Sequence, residues 1–322
     1  MKTTNRLEPE SGAAVQDENR WWIYQRERFP ILAHGPLVLA FSSSAVCFSH
    51  LLREKSNWPA WSGLGVAFVT CLLFFLGLRI ADEFKDIEED TKYRPYRPVP
   101  RGLVSLRELG WVGAGAAAVQ LGLAACLAPR LMIILFAGWL YLALMSKEFF
   151  VRNWLKAHPI TYLWTHMFIM PIVDLYATAC DWIPAGQKFP SPGLFWFLAA
   201  SFCNGIVIEI GRKIRAPDDE ENGVQTYSVL WGRTIAVSVW LGMMLATAAC
   251  GILAARRIAF AIPVSATLGF VFFIAVVAGA KFLLSPRLGG GKRFELLAGV
   301  WTLLLYLTLG VIPLAWRLIC HP

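Results

Sequence analysis

The feature that most limits what this chain can fold into is the recurrence of long apolar runs with almost no charge. The stretch "WSGLGVAFVTCLLFFLGL", residues 61–78, has 18 residues and no charged one. An apolar run of about 18 or more residues spans the hydrocarbon core of a bilayer as a helix. Nine such runs are countable, at roughly 31–52, 61–80, 108–127, 131–150, 160–180, 193–211, 234–254, 258–280 and 295–316. The chain is 57% hydrophobic, where soluble domains average about 45–50%. Only helices and closed barrels satisfy their backbone in lipid. These runs therefore predict an all-α membrane protein with nine transmembrane helices. Trp21, Trp22, Trp58, Trp61, Trp182 and Trp316 lie near the run ends, where an aromatic belt sits. Residues 1–20 are polar and mixed in charge and read as a disordered tail without a signal peptide. Residues 21–322 read as one membrane domain.

The net charge of +8 suggests nucleic acid until its distribution is considered. Of the 30 Lys and Arg, 22 lie in the N-terminal tail and the loops after the second, fourth, sixth and eighth runs. Seven lie on the opposite side, and Arg79 stands at the boundary. Such alternation follows the positive-inside rule. It predicts a cytoplasmic N-terminus, an external C-terminus and no nucleic-acid partner, in a multi-pass protein of a bacterial inner membrane. The seven Cys are scattered without a CxxC pair, and the five His have no ligand spacing, so neither zinc nor a disulfide framework is expected.

Directly after the second run comes "RIADEFKDIEEDTKYRPYRPVPRG", residues 79–102. Asp82, Asp86 and Asp90 recur at i, i+4 and i+8, along one helical face. Like charges at that spacing destabilise a helix unless something positive meets them. Oxygen-only ligands suit a hard cation such as Mg2+, commonly shared with substrate phosphates. The Pro-rich continuation cannot be helical and carries Arg94, Arg97 and Arg101, residues suited to bidentate phosphate binding. Acids for a metal beside bases for phosphate point to a diphosphate. A second charged loop, 212–233, follows the sixth run, as the first follows the second. The chain could thus hold two related four-helix halves and a ninth helix, with corresponding loops at a binding site.

These residues resemble the UbiA superfamily of intramembrane prenyltransferases, which has nine helices and Asp-rich motifs after helices 2 and 6. Its first motif is similar to Asp82, Asp86 and Asp90, followed by the turn from Arg97-Pro98 to Gly102. The second is similar at Asp219, Gly223, Thr226 and Gly232. Upstream, where the family usually has more Asp, this chain has Glu209, Arg212, Lys213 and Arg215. The resemblance implies catalytic and metal roles for Asp82, Asp86 and Asp90. Glu209, Asp218 and Asp219 are then the second metal's candidates, with Arg212 and Lys213 on the diphosphate, or cations replace one metal site; the plainer alternative is that Glu209 pairs with Lys213 at i+4. Lys147 lies where the family often has a basic residue facing the diphosphate. A cytoplasmic cap formed by the two charged loops is also implied.

The function so implied is Mg2+-dependent transfer of an isoprenyl group from its diphosphate to a lipophilic acceptor. A membrane terpene cyclase is the variant in which the cation meets its own double bond. A cation transporter using the Asp row is the alternative of another class. Asp174, in "FIMPIVDLYATAC", lies about 14 residues into its run, roughly 21 Å deep. It reads either as a catalytic group for the acceptor or as a bond to a neighbouring helix. Asn204 has the same two readings, and His166 reads as structural.

Overall fold

The computed structural model describes residues 19–320 apart from 56 and 222. The expected disordered tail lies almost wholly outside them. The described residues form helices and no strand. In chain order these are α1 (Arg20–Arg28), α2 (Ile31–Leu52), α3 (Trp61–Tyr93), α4 (Leu106–Leu127) and α5 (Leu131–Ser146). After a short turn at Glu148–Phe150 come α6 (Arg152–Ala157), α7 (Pro159–Met167), α8 (Ile169–Trp182) and α9 (Leu194–Arg212). A second turn at Pro217–Asp219 leads to α10 (Tyr227–Trp231), α11 (Arg233–Arg256), α12 (Ala261–Leu284), α13 (Lys292–Leu309) and α14 (Val311–Cys320).

Eight segments among the described residues are long and apolar enough to cross a membrane, with α7–α8 and α13–α14 each forming one. The protein is thus an integral, multi-pass membrane protein. The remaining run, 131–150, gives only the 16 residues of α5, about 24 Å at 1.5 Å per residue. It stops because Glu148, Phe149 and Phe150 take positive φ values of 49°, 52° and 61°. Left-handed backbone costs a non-glycine residue roughly 1–2 kcal/mol, so something must hold this turn in place. Another departure is α1, which the apolar count does not contain. Asn19 caps it by accepting the Trp21 N–H, the usual role of Asn at that position.

Burial separates inner from outer helices. The apolar windows of α7–α8 and α9 are 61% and 56% buried, those of α4 and α12 only 22%. Trp111 of α4 and Phe270 and Phe273 of α12 are exposed on the bundle surface, the face that lipid would cover. The centre is close-packed and cross-linked by polar side chains. Trp240 Nε1 of α11 donates to the Val207 carbonyl of α9 at 3.1 Å. Gln120 of α4 donates to the Thr70 carbonyl of α3 at 2.9 Å and accepts from Trp139 of α5 at 3.1 Å. Between α13 and α14 the chain bends at Gly310, where a Cβ would lie 2.1 Å from the Ser44 carbonyl oxygen of α2.

Candidate active site at the acidic mouth of the bundle

Helix α3 runs well past its apolar part, and its last turns carry the acid row as the spacing predicts. The three Asp do not share one environment. Asp82 is half exposed and, among the described residues, pairs with Arg79 alone, at 3.5 Å. Asp86 is partly buried and has no ion pair or hydrogen bond among the described residues. Asp90 is buried, held by Arg97 Nη1 at 2.5 Å and Arg94 Nε at 3.3 Å. Neighbouring acids are also taken: Glu83 is buried against Arg28 of α1, and Glu89 binds Lys156 of α6 at 2.6 Å.

The Pro/Arg segment folds back on α3 as a tight turn. Leu103 N–H donates to the Pro98 carbonyl, and Gly102 supplies the φ of +78° that ends the turn. Arg101 donates to the Tyr96 carbonyl at 2.7 Å and binds Glu27 of α1 at 2.9 Å. The three arginines predicted to meet a phosphate thus hold acids of the protein itself.

A cluster that the sequence reading missed stands on the opposite flank of α3. Lys85 donates to the Tyr162 hydroxyl at 2.6 Å, binds Glu148 at 3.0 Å and lies 3.4 Å from His166 Nε2. The Tyr162 and His166 rings are stacked, 3.9 Å apart. His166 Nδ1 sits 2.8 Å from the Tyr162 carbonyl. A carbonyl only accepts, which puts the proton on Nδ1 and the lone pair of Nε2 toward Lys85. The left-handed turn after α5 swings Glu148 inward, while the predicted Lys147 remains exposed. The available signal was a Lys inside an acidic motif and a lone Glu inside "LMSKEFF".

The second motif closes on the same mouth. Glu209, at the end of α9, is buried and paired with Arg212 and with Lys213 at 2.8 Å. Beyond it the loop is tied to two other parts of the chain. Asp219 accepts the Gly289 N–H with both oxygens, at 2.8 and 3.0 Å. Gly223, with φ +79°, lies so close to Tyr93 that a Cβ there would be 2.5 Å from the ring. Glu220 accepts from Thr226, and Glu221 pairs with Arg215. Asp218 is exposed on the short turn.

Direct contacts tie these segments together: Lys85 of α3 binds Tyr162 of α7, Gly223 of the second loop packs on Tyr93 of α3, and Lys213 Nζ, just after α9, lies 5.7 Å from the centre of the Tyr227 ring of α10. Tyr227, buried beside Glu209, has its phenol pushed upward by burial first and by that carboxylate second, so it stays a hydrogen-bond donor. The ends of α3, α7, α9 and α10 therefore surround one mouth. Glu209 is buried at this mouth, whereas Asp218 is exposed on its turn. Among the described residues no three acidic, His or Cys side chains close on one point. Asp82 and Asp86 nonetheless fit a hard cation as an open pair of oxygen ligands one turn apart, with water and phosphate oxygens to complete its shell.

The sequence profile of the UbiA prenyltransferase family matches residues 42–289. This chain belongs to the UbiA prenyltransferase family. It is 28% identical over 176 residues to the digeranylgeranylglyceryl phosphate synthase of Methanopyrus kandleri, a match covering 54% of this chain and 58% of the relative. The chain thus spans less than two thirds of that relative's length. The apo structure of a UbiA homolog from Aeropyrum pernix K1 is similar with a TM-score of 0.65 and 16% identity, over 89% of this chain and 98% of that one. A UbiA homolog from Archaeoglobus fulgidus is similar at 0.54 and 14%, over 87% and 98%. At these identities the likeness shows the shared fold.

Below the mouth, this UbiA-family bundle holds a smaller polar group. Asp174 of α8 is fully buried and accepts from the Tyr306 hydroxyl of α13 at 2.6 Å, with Ser201 of α9 beside it. Asn204 accepts from Thr302 at 3.2 Å, while its amide nitrogen has no partner. Both residues bond neighbouring helices, as one of the two sequence readings had it.

Proposed function

We propose that this chain is a Mg2+-dependent prenyltransferase, moving an isoprenyl group from its diphosphate to a lipophilic acceptor within the membrane. Residues 21–322 act as one domain, and the acidic mouth faces the cytoplasm, the side with most of the Lys and Arg. The observation that carries the reading is that Asp82 and Asp86 remain open while Arg79, Arg212, Lys213 and Tyr227 gather at the same mouth. Asp82 and Asp86 would hold Mg2+, which when bound neutralises charge on a diphosphate leaving group. Arg79, Arg212 and Lys213 bind diphosphate oxygens, and Tyr227 donates to one of them. Asp90, with Arg94, Arg97 and Arg101, keeps the loop above the site in place. Lys147 meets the substrate from the rim.

Below the mouth the apolar bundle keeps water from an allylic cation. Along α9, Asn204 lies eight residues below Arg212, roughly 12 Å, and Asp174 lies deeper beside Ser201. Asp174, held by Tyr306, is positioned to orient the acceptor. The transporter reading loses ground because Asp90, the third member of its cation path, is tied up by two arginines.

The test incubates purified protein with geranyl, farnesyl and geranylgeranyl diphosphates and Mg2+, with and without membrane extract. The name of the Methanopyrus relative recommends the geranylgeranyl donor. Release of diphosphate that needs the extract, and that Asp86→Ala abolishes, is the expected result. Release without extract, giving a hydrocarbon, assigns cyclisation instead, and no release at any chain length overturns the enzyme reading.

A further inference from the structure

The two flanks of the mouth differ in which acids still have open oxygens. On α3, Asp82 and Asp86 are open. On the α9 flank Glu209 is held by Arg212 and Lys213, Asp219 by the Gly289 amide, Glu220 by Thr226 and Glu221 by Arg215. Asp218 stands alone on an exposed turn. A dication approaching Glu209 would meet the two cations, Arg212 and Lys213, already paired with that carboxylate, and like charges at such distances repel strongly. Mg2+ needs at least one carboxylate oxygen besides water and phosphate, and both oxygens of Glu209 are already engaged, one by Arg212 and the other by Lys213. The second metal implied by the family motif therefore does not fit this donor set.

Arg79 points the same way. Its buried Nε has no hydrogen-bond partner, and its one acidic contact, Asp82, lies at 3.5 Å. The Nη1 end of this guanidinium stands beside a candidate metal ligand, so its positive charge reaches an anion held there. We infer that this protein binds its diphosphate with one metal ion, at Asp82 and Asp86, and that Arg212, Lys213 and Arg79 supply as fixed charge what a second metal would supply. The inference rests on the diphosphate reading above. Glu209 is then a positioning residue: it pins Arg212 and Lys213 at the end of α9.

The test counts metal on the full-length protein in nanodiscs. Mn2+ replaces Mg2+, inorganic diphosphate is saturating, and bound Mn2+ is measured by electron paramagnetic resonance after equilibrium dialysis. One Mn2+ per chain is expected for the unaltered protein and for Glu209→Gln, and none for Asp86→Asn. Arg212→Gln should weaken diphosphate binding about 10- to 100-fold, the worth of one charge-assisted contact, with the count still at one. Two Mn2+ per unaltered chain, falling to one in Glu209→Gln, overturns this inference and leaves the proposed function standing. Binding of neither Mn2+ nor diphosphate by the unaltered chain overturns both. The unaltered count decides even if a variant fails to fold.

Discussion

Asp86 and Asp90 are the same residue type one turn apart, and the structure gives them different work. Asp86 is open, so Asp86→Asn should lower kcat/KM for the prenyl diphosphate at least 100-fold, roughly 2.7 kcal/mol of barrier, read by release of labelled diphosphate. Asp90 neutralises Arg94 and Arg97. Breaking a buried pair costs about 3–5 kcal/mol because a charge is left without its partner. Asp90→Asn should accordingly lower the Tm of the detergent-solubilised protein more than Asp86→Asn does. An Asp90→Asn protein of unaltered Tm that has lost its bound Mn2+ would reverse the two assignments. Spacing alone made the acid row legible. It could not show that Arg94 and Arg97 reach back, because that depends on a non-helical turn whose path is set by Pro98 and Gly102. Lys85 was hidden for a similar reason, since its partners Glu148, Tyr162 and His166 come from segments far along the chain.

At the scale of elements, the segments with special backbone are those that shape the mouth. Gly223 requires a left-handed φ and room beside Tyr93, so Gly223→Ala should loosen the loop from α3 and raise KM for the diphosphate several-fold. Adding Tyr93→Ala removes the clash and leaves only the φ strain, costing of order 1 kcal/mol. The double variant should recover part of the loss, and a strictly additive pair would show that the two do not touch. The turn at Glu148–Phe150 is a second such element. Glu148→Gln leaves Lys85 without its carboxylate partner and the strained turn without its strongest anchor. A Tm decrease is expected, together with new protease sensitivity between α5 and α6. Helix α1 escaped the sequence reading because nine residues, three of them Arg, have too few apolar positions to register as a periodic face. What places it are its ion pairs, Arg28 with Glu83, Glu27 with Arg101 and Arg20 with Glu108, and the burial of Tyr24.

Across the whole molecule, topology was the most legible property, because each long apolar run has few alternatives in a membrane. The run at 131–150 promised more than α5 delivers, since hydropathy cannot register a left-handed turn. The proposed orientation rests on the distribution of Lys and Arg. In sealed inverted vesicles, Tyr96→Cys should react with an impermeant maleimide while Cys320 is protected; the opposite pattern would turn the protein around. One contact has a consequence in time as well as in space. The second motif is fastened by Asp219 to the amide of Gly289, in the loop before α13. A nascent chain carries both acidic motifs long before that loop is made. Since synthesis runs from the N-terminus, the mouth is completed only as the last helices enter the bilayer, and a polypeptide cut short ahead of residue 289 has every proposed diphosphate ligand but no clamp to hold the second loop over them.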